Sequence, residues 1–243
     1  MHRSALLRAI TQASIVLKEY GQACAAPSCP LWEYVQKGDL QAQSDLMNAS
    51  TSDAQVWARA LIHSRRTTLP KRLTGPGPDA AQKAAILEAA AAAPDHDQIL
   101  PWRFMEVGPR KRTALGQAFV AALRERDPQA TPDECAQAQE KAERSPWLLL
   151  AIVRTAGGPQ EIPTQERVLS AGAAIQNMLL MSTAMGLGSA LTSGKAMQAS
   201  ALRKLFLLND QEQALCFVNI GHIRDQRSAR VRPNVEAFFT VLN

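Results

Sequence analysis

The chain has 243 residues, 46% hydrophobic and 20% charged, a composition typical of a packed globular protein rather than a disordered one. Its net charge of +5 is spread along the chain apart from a cluster at 224–232, and only 5% of the residues are aromatic, which argues against nucleic-acid binding. With no apolar run of the roughly 18 residues that span a membrane, and no apolar signal core at 1–20, the sequence predicts a cytoplasmic protein with reduced cysteines and no membrane contact.

Residues 1–52 are predicted to form an N-terminal helical extension, and residues 53–243 the main domain. A helix from Ser4 to Lys18 carries one apolar stripe, which must dock on another surface. We expect the extension to wrap a partner subunit or to cover the active site.

The main domain is predicted to alternate helices with strands. In order these are a helix that starts at 51–53 and stops near Arg65, a helix at 80–93 capped by Asp79, a strand at 105–107, helices at 109–126 and 132–144, a strand at 147–153, a helix at 165–185, a strand at 189–191, a helix at 199–208 and a strand at 214–220. This order indicates an α/β or α+β fold in which helices cover a sheet.

The helix at 165–185 is apolar on nearly every face from Ala171 onward. Such a helix is expected to be buried all round, either at the centre of the fold or at a subunit interface. Its small residues Gly172, Ala173 and Ala174 allow another backbone or a flat ring to come close.

Arg65 and Arg66 follow the first helix of the main domain, and Thr67 comes next. Guanidinium groups pair with phosphate oxygens in two-pronged fashion, and the hydroxyl suits a phosphate or ribityl oxygen. The alternative is a solvated helix end, where positive charge is favourable in any case.

His96 lies between Asp95 and Asp97 in the loop at 93–104. One interpretation is a general base that a neighbouring carboxylate orients. The other is a loop histidine that hydrogen-bonds backbone or a ligand. A metal site is not indicated, because His63 and His222 are isolated from it.

Two further segments suit ligand contacts. The small polar turn after the strand at 189–191 offers backbone groups to a ligand edge, whereas Gly186-Leu187-Gly188 ends a helix and so is not a dinucleotide fingerprint. The basic run near the C-terminus is either a solvated tail or a segment in which Arg230 or Arg232 curls back towards Arg65 and adds charge for a phosphate.

Several local motifs occur in the order in which they occur in the nitroreductase family of FMN-dependent oxidoreductases. They are the basic pair and hydroxyl at 65–67, the Ala-Pro-Asp-His…Pro-Trp-x-Phe loop at 93–104, the small-residue helix at 170–174, the Gly-Leu-Gly and Ser-Gly turns at 186–188 and 193–194, and the strand ending at 220–221. The chain resembles this family over residues 54–243, most closely its minimal subgroup. The resemblance implies an α+β, nitroreductase-like fold with a mostly antiparallel central sheet, surrounding helices and a long helix at a dimer interface.

The resemblance also implies a homodimer with FMN at each of two subunit junctions. Arg65, Arg66 and Thr67 would hold the phosphate and the ribityl chain, and His96 would contact the flavin. Leu191, Thr192 and Ser193 match the turn that lines the cofactor from the other side. The family's reaction is a ping-pong relay in which NADH or NADPH gives hydride to flavin N5, and a nitroaromatic, quinone or related small molecule then takes the electrons. Such a reaction requires no catalytic acid, nucleophile or metal of the protein.

This chain departs from the minimal subgroup at cofactor-facing positions. Ala92 stands where an arginine is common, Leu191-Thr192 where Trp-Arg is usual, and Arg103, in place of a histidine, is expected to restore one charge. Two alternatives therefore stay open: a flavin enzyme dedicated to one biosynthetic reduction or dehydrogenation, and a divergent non-catalytic member that binds a ligand or partner.

Overall fold

The computed structural model describes residues 51–158, 161–225 and 231–242, so the predicted extension at 1–52 lies almost wholly outside the described residues. The chain divides between Ala60 and Leu61 into two compact units, and the sheet, its helices and the candidate site all belong to the second. None of the helices described in these ranges has the length and apolarity needed to cross a membrane.

The described residues form six helices and five strands. The helices are α1 (Thr51–Ser64), α2 (Ala80–Ala91), α3 (Pro109–Arg126), α4 (Pro132–Glu140), α5 (Thr164–Ala184) and α6 (Ser200–Leu205). The strands are β1 (Leu73–Thr74), β2 (Trp102–Glu106), β3 (Trp147–Arg154), β4 (Gly188–Thr192) and β5 (Glu212–Ile223). Short 3-10 turns occupy 70–72, 96–98, 195–198 and 235–237.

The five strands make one antiparallel sheet, in which four of them follow the order β1-β5-β3-β2. β4 also pairs with β5, from Gly188↔Gly221 to Thr192↔Phe217, on the edge that β3 leaves open. The prediction of an α+β fold with an antiparallel sheet is therefore confirmed. As a result, β2 and β4 lie on opposite sides of the β3–β5 pair.

The apolar run of β3 supplies a core on each face of the sheet. Trp147 and Leu149 belong to the cluster that α2 and α5 cover, whereas Leu148 and Leu150 belong to the cluster that α3 and α6 cover. Because both faces are covered, seven consecutive residues of the strand are buried. Each fully buried leucine contributes about 1.5–3 kcal/mol relative to an exposed one, so this strand is a main anchor of the fold.

Local signals fix the starts of two helices. The Asp79 side chain accepts a hydrogen bond from Gln82 N, and the Gln82 side chain accepts one from Asp79 N. Thr131 and Glu134 form the same capping box at the start of α4. Such a cap contributes about 0.5–2 kcal/mol, which explains why the predicted helix starts are confirmed.

Tertiary pairing moves several predicted boundaries. β2 begins at Trp102 rather than at 105, because Trp102 pairs with Val153 of β3. β5 extends to 212–223 because it pairs in turn with β3, β4 and β1. α4 ends at Glu140 rather than at 144, and the buried Arg112 donates a hydrogen bond to the carbonyl of Ala142 in the turn that follows.

The prediction that α5 is buried all round is wrong for the single chain. Met178 and Ala174 are buried against the sheet, but Leu169 is 72% exposed, and Gly172 and Gln176 face solvent. The open face carries Leu169 and Gly172 together with the polar Gln176. The alternative prediction for this helix, a subunit interface, stays a prediction.

Candidate functional site

The segment at 65–67, predicted to hold a phosphate, follows α1 and runs alongside β4. Thr67 makes a single parallel bridge with Ser189, and Thr68 N donates a hydrogen bond to the Ser189 carbonyl at 2.8 Å. These contacts bring the segment close to the turn that begins at Leu191. Two predicted groups therefore meet at one edge of the sheet.

Arg232 lies beside Arg65 although the two are far apart in sequence. Its Nη2 donates a hydrogen bond to the Arg65 carbonyl at 3.1 Å. Burial, and then the positive charge of Arg232, lower the pKa of the half-buried Arg65 guanidinium. Neither side chain has an ion pair with a carboxylate of the described residues. Adjacent guanidinium groups with this environment suit an anion, which would relieve their repulsion. Arg230 lies outside the described residues.

The segment at 191–193, which the sequence predicts as a turn, comprises the last two residues of β4 and Ser193, and Asn219 of β5 holds it in place. The Asn219 Nδ2 donates to Thr192 Oγ1 at 3.0 Å and to the Ala190 carbonyl at 3.2 Å. Leu191 and Thr192 point to opposite faces of the sheet, since neighbours in a strand alternate. Leu191 is 44% exposed, and Ser193 is exposed as well. The turn therefore presents accessible groups on a fixed backbone.

A cavity of about 630 Å³ opens beside this turn, on the face that α3 and α4 cover. Thr192, Ser193 and Asn219 line it on the sheet side. Its apolar wall includes Phe119 and Phe217, whose rings meet edge to face at 5.6 Å between centroids. The combination of an apolar wall and a polar turn suits a flat organic ligand.

His96 pairs with a carboxylate that sequence reasoning did not identify. Its Nδ1 lies 2.6 Å from Glu166 Oε2 in the first turn of α5, whereas its Nε2 is 3.7 Å from Asp97. The hydrogen bond to Glu166, followed by the charge of Asp97, raises the pKa of His96. Asp95 instead accepts a hydrogen bond from Leu100 N at 2.7 Å. Under the general-base interpretation, the carboxylate that orients His96 is therefore Glu166 rather than Asp95 or Asp97.

The loop around His96 has an unusual backbone. Asp97, Gln98 and Leu100 have φ values of 53°, 54° and 43°, in the left-handed region that bulky side chains disfavour. Two contacts hold the loop in this shape, the bond from Leu100 N to Asp95 and a bond of 2.7 Å from Arg154 Nη2 to the carbonyl of Ile99. Such strain clusters at functional sites.

Within one chain, His96 does not join the other predicted residues. It precedes β2, and β3 and β5 separate β2 from β4. Three strand spacings of about 4.8 Å place β2 and β4 roughly 15 Å apart across the sheet. The structure thus brings together 65–67, 191–193 and Arg232, and leaves His96 on the other side.

The structure corrects the expected role of Arg103. Its Nε and Nη2 bind both carboxylate oxygens of Glu212, at 2.7 and 3.1 Å. This two-pronged pair lowers the pKa of Glu212, and burial opposes the effect. Arg103 therefore binds a carboxylate of β5 and does not supply a charge for a cofactor. Ala92 caps the end of α2 and is exposed, so no charged side chain stands at that position.

Three site features were missed by the sequence analysis: Glu166 beside His96, Asn219 beneath the turn, and the buried hydroxyl of Ser189. The Ser189 Oγ has no hydrogen-bond partner among the described residues. Only the pairing of β4 with β5 brings Asn219 to the turn, and only the docking of α5 brings Glu166 to His96. No local sequence signal could have identified these contacts.

Comparison with known protein families and curated proteins gives nitroreductases in each case. A model described as the nitroreductase family matches residues 62–222. A candidate NAD(P)H nitroreductase of Haemophilus influenzae is 30% identical over 164 residues, covering 68% of this chain and 87% of that protein. The candidate NAD(P)H nitroreductase YdjA of Escherichia coli K12 is 29% identical over 167 residues, with the same coverage of both chains.

Solved structures share the fold. A nitroreductase-like family protein of Bacillus cereus superposes with a TM-score of 0.64 at 18% identity, covering 76% of this chain and 95% of that one. A nitroreductase with bound FMN from Bacteroides fragilis gives a TM-score of 0.58 at 18% identity, covering 76% and 98%. At these identities the likeness shows the fold alone.

Proposed function

This chain belongs to the nitroreductase family, and we propose that it is an FMN-dependent oxidoreductase with NADH or NADPH as electron donor. Its acceptor is a nitroaromatic, a quinone or a related small molecule, reduced by a ping-pong mechanism. When bound, FMN supplies hydride transfer through its N5 atom, and the protein binds, orients and shields it. The names of similar proteins, which mention NAD(P)H and FMN, support this choice of donor and cofactor.

The observation that carries the proposal is the pair formed by Arg65 and Arg232. Burial and the nearby charge of Arg232 lower the pKa of Arg65, and two positive groups placed together in this way suit a doubly charged phosphate better than a purely structural role. We assign the FMN phosphate to Arg65, Arg66 and Arg232, with Arg230 as a further candidate. The Thr67 hydroxyl is exposed next to them and suits a phosphate or ribityl oxygen.

The flavin ring is assigned to the turn at 191–193. The turn projects from β4 beside the 65–67 segment, so a ligand anchored there by its phosphate would reach the turn. The orphaned hydroxyl of Ser189 supports a polar ligand at this edge, because an unpaired buried hydroxyl costs about 1–3 kcal/mol. The ring rests on the backbone and side chains of Leu191, Thr192 and Ser193, which are smaller than the Trp-Arg pair that the resemblance implies.

The contact between His96 and the flavin requires a second chain. His96 lies across the sheet from the turn, and the α5 face that carries Leu169 and Gly172 is uncovered. We therefore propose a homodimer in which α5 packs against its counterpart and each site combines the arginines of one chain with the His96 loop of the other. Glu166 then fixes the orientation of His96 and keeps a proton on Nδ1.

A spectrum and an assay test the proposed function. The purified protein should show flavin absorbance, release FMN on denaturation, and oxidise NADH or NADPH when nitrofurazone or menadione is supplied. Colourless protein that does not take up added FMN would point to the non-catalytic alternative. Bound flavin that NADH and NADPH cannot reduce would point to a dedicated dehydrogenation instead.

Replacement of the arginine pair tests the phosphate assignment. The double variant Arg65→Ala with Arg66→Ala should lose FMN during purification while it remains a folded dimer by circular dichroism and light scattering. The double variant Arg110→Ala with Arg124→Ala, on the exposed side of α3, removes the same charge and should retain FMN. Retention of FMN by the first variant would refute the assignment.

A further inference from the structure

The cavity beside the 191–193 turn has a basic rim, which consists of Lys71, Arg126, Lys141 and Lys195. All four side chains are exposed, and none has an ion pair within the described residues. The rim draws on separate parts of the chain, namely the turn before β1, the end of α3, the segment after α4 and the turn after β4. Folding therefore brings these positive charges together around one opening.

The remaining charges of the lining are already engaged. Arg144 binds Glu140 through Nη2 at 3.1 Å and through Nε at 3.3 Å. The Glu134 carboxylate accepts hydrogen bonds from Thr131 N and Thr131 Oγ1, both at 2.9 Å. The capping box engages Glu134, which is the one carboxylate among the described residues that line the cavity. The opening keeps an excess of positive charge.

The rim is additional to the charge assigned to the FMN phosphate. Neither Arg65 nor Arg232 lines the cavity, whereas Thr192 and Ser193 of the proposed ring-binding turn do. The inner wall is apolar, with Leu148, Met197 and Phe217 buried behind the opening. The cavity thus joins an apolar wall to a positive mouth beside the turn.

We propose that this cavity takes a flat aromatic electron acceptor that carries a carboxylate. The ring of the acceptor lies along the apolar wall at Phe217, next to the turn, and its carboxylate points outward to Arg126 and Lys141. This inference rests on the proposed function, since it names the substrate class of the same enzyme. It adds a charge preference to the proposed function.

Matched acceptors test the preference. para-Nitrobenzoate and para-nitrobenzamide share the ring and the nitro group and differ in charge. Exposed ion pairs each change affinity by a few-fold, so two rim contacts should give the carboxylate a kcat/KM about fivefold higher than that of the amide. Added salt should reduce this ratio because it screens the charges.

Variants locate the preference on the rim. The double variant Arg126→Gln with Lys141→Gln should bring the ratio to about one. The double variant Arg110→Gln with Lys111→Gln lies at the other end of α3, outside the cavity, and should leave the ratio unchanged. Calorimetric titration of the FMN-loaded protein with benzoate, which cannot be reduced, should show binding that the first variant weakens and the second does not.

Three results would overturn the proposal. The first is a ratio near one in the unmodified protein, and the second is an equal decrease in both double variants. The third is a rim substitution that lowers only a preference for NADPH over NADH, which would assign the rim to the phosphate of the donor. Flavin reduction by NADH or NADPH without any acceptor tests the proposed function separately, so its failure is distinguishable from the failure of this inference.

Discussion

Substitution of Arg232 by glutamine separates a role in cofactor binding from a role in stability. Arg232 donates one hydrogen bond to the Arg65 carbonyl, and its charge opposes that of the Arg65 guanidinium. If the pair holds the FMN phosphate, removal of Arg232 should weaken FMN binding strongly. The same change should barely alter the free energy of unfolding of the flavin-free protein.

The substitution should change the FMN dissociation constant far more than it changes the free energy of unfolding. A hydrogen bond to a charged group contributes about 1.5–3 kcal/mol, so the FMN dissociation constant should rise about ten- to a hundredfold. In the flavin-free protein the loss of one exposed hydrogen bond costs roughly 0.5–1 kcal/mol. Relief of the screened repulsion from Arg65 offsets part of that cost, because both side chains are accessible to solvent.

Fluorescence titration of flavin-free protein with FMN measures the dissociation constant, and urea unfolding measures stability. Arg224→Gln is the matched control, because Arg224 Nη2 also donates to a backbone carbonyl, that of Lys71 at 2.9 Å, in the same part of the chain. The control should keep the FMN affinity of the unmodified protein. An Arg232→Gln protein with unchanged FMN affinity, or equal losses in both variants, would refute the reasoning.

Two further substitutions test the site and the fold. Glu166→Gln should lower the pKa of His96, measured by NMR titration, because it removes the carboxylate that raises it. Because the pKa of His96 is raised in the folded protein, its pairing stabilises the fold fully below the ordinary pKa of 6.5, and this stabilisation is lost as pH rises through the raised pKa. The Tm of the unmodified protein should therefore exceed that of Glu166→Gln by a margin that shrinks with increasing pH. A difference in Tm that does not change with pH would contradict the pairing. Gly221→Ala should destabilise the protein by about 1–3 kcal/mol in urea unfolding, since the added Cβ would lie 2.7 Å from the Pro146 ring, and unchanged stability would contradict that packing.

The sequence predicted those elements whose signals are local. The capping residues Asp79 and Thr131 start helices where expected, and the apolar run at 147–153 forms the central strand. The start of β2 was misplaced because its register depends on pairing with β3, which no nearby residue specifies. Likewise, an apolar helix such as α5 reads the same whether its own chain or another chain covers it.

In the candidate site, too, the residues with local sequence signals were predictable and those placed by long-range contacts were not. The basic segment at 65–67 and the turn at 191–193 are recognisable as motifs, and β4 brings them together. The roles of Glu166 and Arg103 are set by contacts across 70 and 109 residues of sequence, respectively. The charge of Arg103 looked available in the sequence because its partner, Glu212, lies on a strand whose pairing was unknown at that level.

The strained loop bears on the proposed dimer, in which His96 would act in a site that its own chain does not complete. Three non-glycine residues at positive φ each cost on the order of 1–2 kcal/mol. Folding meets that cost through Asp95 and Arg154, which bind the loop backbone, while Glu166 binds the imidazole. A loop ordered before its ligand arrives loses little further entropy on binding. The cost of the strain is therefore met when the chain folds rather than when the site assembles. Arg154→Met removes the hydrogen bond to the Ile99 carbonyl and should loosen the loop. We expect this variant to bind FMN more weakly, although Arg154 contacts the loop and not the cofactor.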